Sequence, residues 1–193
     1  MGMILIIIAV VIVGYVLATY NGFQTIKTRI EASLQEIGNQ LKRQASLIPN
    51  MQESAKGFLK QEKSIFKSLT DARKAVEVAT NNSTGSNIDA AIDKMGALLP
   101  KLNVLVESNP EIKSDSIIAK LMAELRDTAD KLMYARRTLI DLTADFNVKV
   151  VTFPSNLVAN LFGFKKQAGL VTPASGAHTS VSEAEMKDVK VDL

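Results

Sequence analysis

The sequence predicts an all-α protein: an N-terminal transmembrane helix, an antiparallel up-and-down four-helix bundle, and a short C-terminal amphipathic helix. Three observations carry this reading. The opening stretch MGMILIIIAVVIVGYVLATY has no charged side chain. Apolar residues further on recur in steps of three and four, the spacing that lines one face of a helix. Aromatic residues make up only 5% of the 193, tryptophan is absent and glycines number ten, a composition that leans towards helices.

The apolar run from Met1 to Ala18 is about 27 Å long at a helical rise, close to the ~30 Å hydrocarbon core of a bilayer. Tyr15 and Tyr20 fall near its end, where an aromatic belt sits. A cleaved signal peptide is the rival reading; no Lys or Arg precedes the run and no A-x-A-like site follows it. A buried core helix is the third, and the run offers no polar face for that. Residues 1–20 are therefore expected to remain as a single-pass anchor. Lys27, Arg29, Lys42 and Arg43 follow the span, so the positive-inside rule puts the N-terminus outside and the body in the cytoplasm, at the inner (cell) membrane.

Beyond the anchor a first stripe runs through Phe23, Ile26, Ile30, Leu34, Ile37, Leu41, Ile48, Met51, Ala55, Phe58, Ile65, Leu69, Ala72, Val76 and Ala79, in the manner of a coiled-coil seam. Asn81–Asn87 interrupts it with turn-forming residues. A second stripe holds Ile88, Ile92, Met95, Leu99, Leu102 and Val106, with Asn87 as its N-cap and a kink or break expected at Pro100. Glu107–Pro110 reads as a loop. A third runs from Ile118 to Phe153, where Pro154 stops it. Pro49 falls inside the first stripe. An interior proline costs about 3 kcal/mol or more, whereas Ser46 is a fair N-cap that would put Pro49 in the first turn of a new helix. The expectation is a break there, between helices over 20–45 and 47–80; the competing picture is one long kinked helix and three helices in all.

The domain reading is an anchor over 1–20, a bundle over 21–153, an amphipathic helix over 154–166 and a disordered tail over 167–193. In the amphipathic segment Leu157, Val158, Leu161 and Phe162 group on one side and Lys165-Lys166 follow. That face either caps the bundle or touches lipid, with Leu157, Leu161, Phe162, Lys165 and Lys166 as the contacts. From Gln167 to Leu193 there is no periodicity.

The residues do not describe an enzyme. There is no cysteine, and the one histidine, His178, falls in the predicted tail, so Cys- or His-based nucleophilic systems and His-based metal sites are out of reach. No Gly-rich phosphate loop occurs. Asp127, Asp130, Asp141 and Asp145 lie at helical spacing but lack the Glu-x-x-His pairs of bundle di-metal sites, and read as a solvated face. Catalytic, metal and cofactor-binding residues are all expected to be none. The formal charge of +3 argues against nucleic acid, and no small-molecule substrate is evident.

Two separated stretches do match something known. Tyr20-Asn21, then Gln40-Leu41-Lys42-Arg43 and Leu47-Ile48-Pro49-Asn50, resemble the N-terminal hallmark of the LemA family. Glu124-Leu125, Thr128, Tyr134-Ala135-Arg136, Asn147, Phe153-Pro154, Asn156, Ala159 and Gly163-Phe164 resemble its second conserved-looking segment. The likeness covers about residues 20–166. Ser46 stands in place of the usual Asp, Met51 in place of Leu, and Leu139-Ile140-Asp141 lacks the usual Tyr-Asn. The resemblance implies an anchored membrane protein with a bromodomain-like four-helix bundle, supplies no activity, and favours a break at Pro49 over a kink. The expected function is a non-enzymatic scaffold at the membrane surface whose partners are the lipid bilayer and further copies of itself or other membrane proteins. The alternative is a membrane-tethered adaptor or sensor for a protease or signalling enzyme.

Overall fold

The computed structural model describes residues 1–59, 62–82 and 85–170, with the side chains of 58 and 59 left aside. The elements are α1 (Gly2–Ser54), α2 (Lys56–Leu59), α3 (Lys63–Asn81), α4 (Gly85–Gly96), α5 (Leu98–Ser108), α6 (Pro110–Ser114), α7 (Ser116–Val151) and α8 (Ser155–Phe162). No strand occurs among the described residues.

The chain does not break at Pro49. α1 runs for 53 residues straight through it. Ser46 caps nothing: its hydroxyl donates back to the Arg43 carbonyl at 2.7 Å, the habit of a serine inside a helix. The reason lies in what flanks the ring. Leu41, Gln44, Leu47, Ile48 and Met51 are all buried, so the stripe continues across the proline without a change of face. A turn at Ser46 would have taken Leu47, Ile48 and Met51 out of register with the core, and burying side chains of that size is worth about 1.5–3 kcal/mol each against the proline's cost of about 3 kcal/mol. The helix ends instead at Ala55, and α2 follows at once from Lys56.

Pro100 behaves differently. α4 stops at Gly96 and α5 starts at Leu98, so the break falls one turn before the proline. That is where its ring meets the carbonyl four residues back, and a glycine there gives way cheaply. Asn87 is not an N-cap, since α4 already begins at Gly85; its side-chain amide donates to the Asn82 carbonyl at 2.9 Å. The expected loop over 107–110 shrinks to Asn109, and Pro110 opens the five-residue α6 at the position where a missing N–H costs nothing.

α7 starts on Asp115, whose carboxylate accepts from the backbone N–H groups of Ile117 (2.7 Å) and Ile118 (3.2 Å). Asp115→Ala should cost about 1 kcal/mol. Denaturation in mild detergent would measure it, and a neutral result would show that this cap is dispensable.

α7 lies along α1 more extensively than any other pair of elements packs. The two are antiparallel: Arg43 meets Glu124 near one end and Phe23 meets Phe146 near the other. α3 packs on α1, α4 and α5, and α4 also touches α1. Phe23, Ile37, Leu41, Ile48, Leu69, Leu102, Ile118 and Phe146 are fully enclosed in one core. The third stripe stays inside as far as Phe146; Val150 is half-buried and Phe153 is exposed. Thr152–Pro154, with a cis Phe153-Pro154 bond, joins α7 to α8, and α8 packs on both α1 and α7. Gly163 adopts φ +73° and the Phe164 N–H reaches the Ala159 carbonyl at 2.8 Å, a Schellman closure that turns the chain back.

Within the segment from residue 167 expected to be a disordered tail, Gln167 and Leu170 pack on the fold while Ala168 and Gly169 are exposed. Asn147 accepts from the Gln167 N–H (2.8 Å) and donates to its carbonyl (2.9 Å), and Leu170 is buried. Asn147 reproduces a strand-like pair of backbone bonds, which holds this piece against α7. Residues 171–193, including His178, lie outside the described residues.

Candidate membrane-facing and partner-binding surfaces

Residues 1–18 touch almost nothing else in the fold. Met3 to Val13 present large apolar side chains to the outside, with Ile4, Ile6, Val10 and Ile12 all more than half exposed. This end of the helix is long and apolar enough to cross a membrane. Burial begins at Thr19, and from there the same helix becomes the core.

Directly beneath the apolar run sits a group of rings. Tyr20 packs on Phe162 (centroids 4.8 Å apart) and Phe164 (5.7 Å). Phe23 stacks on Phe164 at 4.6 Å and meets Phe146 edge-on at 5.5 Å. The Lys149 ammonium lies 5.4 Å from the Phe23 centroid, a cation–π distance, and crosses α1 at Gly22, where any Cβ would collide with it. The cluster draws on α1, α7, α8 and the turn after it, and so fixes α8 beneath the apolar run.

α8 divides its apolar residues. Val158 and Ala159 point into the fold, whereas Leu157, Leu161 and Phe162 are 59%, 73% and 48% exposed. Lys165 and Lys166 follow, both exposed. The face expected to hold Leu157, Val158, Leu161 and Phe162 together is therefore split, with Val158 alone turned inwards.

Some motif residues from the two halves of the chain meet, as Tyr20 does Phe164 and Arg43 does Glu124. Arg43 bonds Glu124 through Nε (3.1 Å) and Nη2 (2.7 Å), and that bond, followed by the carboxylate's charge, raises the guanidinium pKa above its ordinary value. Leu41, Leu47, Ile48 and Ala135 are core. Arg136 faces Asp89 of α4 at 3.5 Å, both largely buried. Gln40 donates to Glu36 at 2.7 Å. Tyr20 accepts from Gln24 at 2.9 Å, while Asn21 and Asn50 are exposed and Pro49 is half-buried. Pro154 is exposed at the α7–α8 turn, and the half-buried Asn156 keeps its Oδ1 without a partner. The motifs thus mark helix packing and the α8 turn.

Thr19, Gln44, Thr128 and Thr143 are buried polar residues, and the burial of Gln44 is not among the expectations from sequence. Gln44 is 3% exposed with its Oε1 unpartnered, and it lies three residues after Leu41 and four before Ile48, in the core register. That register was the signal. Gln44 borders a groove of about 820 Å³ between α4–α5 and α7, walled by Ile92, Met95, Leu99, Met133 and Ile140. Met133 is 71% exposed on its rim.

A second groove of about 660 Å³ between α1 and α7 is bordered by Arg29, Glu36, Asp127, Asp130 and Tyr134. Its carboxylates are solvated, and Lys131 holds Asp127 at 2.7 Å. Among the described residues no three acidic or histidine side chains come together as a metal site would need.

These features describe a membrane-associated, all-helical protein. The chain matches the LemA family over residues 33–183 and belongs to it. The match starts after Tyr20 and Asn21 and extends past residue 166, so it is placed later in the chain than the motifs suggest. The chain is also 25% identical over 173 residues to the magnetosome protein MamQ of Magnetospirillum gryphiswaldense, covering 78% of this chain and 64% of the relative's own length. Neither description states a reaction.

Proposed function

We propose that this protein is a non-enzymatic scaffold held at the inner membrane by residues 1–20, with its N-terminus outside and its helices in the cytoplasm. α1, α3, the α4–α5 pair and α7 make the up-and-down, bromodomain-like bundle, and its groove takes a helix from a second copy or another membrane protein. The observation that carries this reading is the groove between α4–α5 and α7. Its walls are mainly apolar, Met133 is open on its rim, and the buried Gln44 borders it. An amphipathic helix laid into such a groove would cover these side chains. Family membership and the likeness to a magnetosome protein are in keeping with a membrane-associated helical protein.

The test is the mass of the full chain in mild detergent, with and without Met133→Asp and Ile140→Asp. Burial of each apolar side chain is worth about 1.5–3 kcal/mol, so the double variant should weaken a self-assembled species by at least about a hundredfold. A discrete assembly that survives both substitutions overturns groove-mediated self-association. A monomeric parent chain favours the tethered adaptor.

A further inference from the structure

We propose that α8 and the end of α7 form a second, peripheral contact with the bilayer. This rests on the reading that residues 1–18 span the membrane. The apolar run sets where the bilayer must be, and the ring cluster sets where α8 is. Phe162 packs at a tilt against Tyr20, two residues below the run. α7 arrives from the other direction: Phe146 is level with Phe23, and five further residues advance Val151 by about 7.5 Å, level with about residue 18 of α1.

At that level the fold leaves apolar side chains uncovered. Val148 (60%), Val151 (53%), Phe153 (74%), Leu157 (59%), Leu161 (73%) and Phe162 (48%) are exposed within fifteen residues of chain. Leu157 and Leu161, four apart, share one face of α8, while Val158 and Ala159 tie its other side to the core. α8 itself carries no charge, and Lys165-Lys166 come straight after its glycine turn.

This is the composition of an interfacial helix: an apolar side pressed into the acyl boundary and basic residues at headgroup level. A folded chain gains nothing from six exposed apolar residues in water, and their place beside the span brings them against lipid without any change of shape. A second copy could cover them only by lying on the same membrane surface.

The chain has no cysteine, so single-cysteine variants labelled with an environment-sensitive fluorophore can report each position in the full-length protein. The variants are Leu157→Cys, Leu161→Cys, Val10→Cys within the span, and Ile117→Cys, which is exposed at the far end of α7. Each is reconstituted in phosphatidylcholine vesicles, with or without phosphatidylglycerol, containing nitroxide-labelled lipid. Labels at 157 and 161 should be quenched by the lipid nitroxide severalfold more than the label at 117, with blue-shifted emission. Quenching at 161 should rise when phosphatidylglycerol is added, and Lys165→Gln with Lys166→Gln should abolish that rise. Labels at 157 and 161 that behave like 117 overturn the proposal. So do labels shielded from water yet not quenched by lipid, which would mean protein covers the patch. An undiminished rise in the double glutamine variant removes the lysines from it. The Val10 label separates the two readings: if it is unquenched the span itself fails, and if it alone is quenched only the α8 contact fails.

Discussion

Phe23→Ala is expected to lower stability by about 3–5 kcal/mol, the usual cost of emptying a buried phenylalanine site. Phe23 is completely buried, and its ring is the hub of the cluster below the apolar run: stacked on Phe164, edge-on to Phe146, and beneath the Lys149 ammonium. Each aromatic pair adds about 0.5–1.5 kcal/mol beyond the area it buries. The loss should also be local in its effect. Phe164 follows the glycine turn of α8 and stacks on Phe23, so hydrogen exchange across 155–164 should accelerate more than exchange in the middle of α7. Phe66, half exposed on α3, is the control, and Phe66→Ala should stay within about 0.5 kcal/mol. A cost below about 1 kcal/mol for Phe23→Ala, or uniform acceleration of exchange, would show that the rings do not hold α8 in place.

The second large effect concerns the apolar end of α1. Introducing Ile8→Lys and Val11→Lys should release the protein from membranes, since a lysine near the bilayer centre costs about 2.5–3.5 kcal/mol and two of them shift partitioning by roughly three orders of magnitude or more. The fold should be untouched, because both positions are exposed and outside the core. Recovery of the double variant in the soluble fraction with an unchanged melting transition is the expected outcome; full retention in washed membranes would refute a spanning role. Intact mass of the parent chain completes the test, since a mature N-terminus near Tyr20 would mean the run is removed.

Much of the helical architecture could be read from periodicity. The residues of the apolar stripes from Phe23 to Phe146 that the structure describes are buried or half-buried, and Pro154 does separate α7 from α8. Pro49 was misread because its cost is local and visible in sequence, while what outweighs it is tertiary: Leu47, Ile48 and Met51 all face one core. Pro100 was read nearly correctly because the glycine one turn earlier yields to it. The division of α8 could not be read at all. Four apolar residues within six positions cover more of a helix's circumference than one face, and only the packing of α8 on α1 and α7 decides which of them turns inwards. Likewise nothing periodic marks Gln167–Leu170; the hydrogen bonds from Asn147 do.

The continuity of α1 also has a mechanical meaning. From Thr19 to Ser54 the helix extends about 54 Å past the apolar run, with no loop in which bending could be absorbed. With the apolar run in a bilayer, run and folded body would be one lever. If the run tilts to match a thinner bilayer, as spanning helices do, a tilt of about 10° carries the far end sideways by about 9 Å. Arg43, the QLKR segment and the groove beside Gln44 ride on that far half. Bilayer thickness and curvature would thus be converted into displacement at the groove proposed to bind a partner, and Pro49 sits near the tip, where softening the rod would change this gearing least.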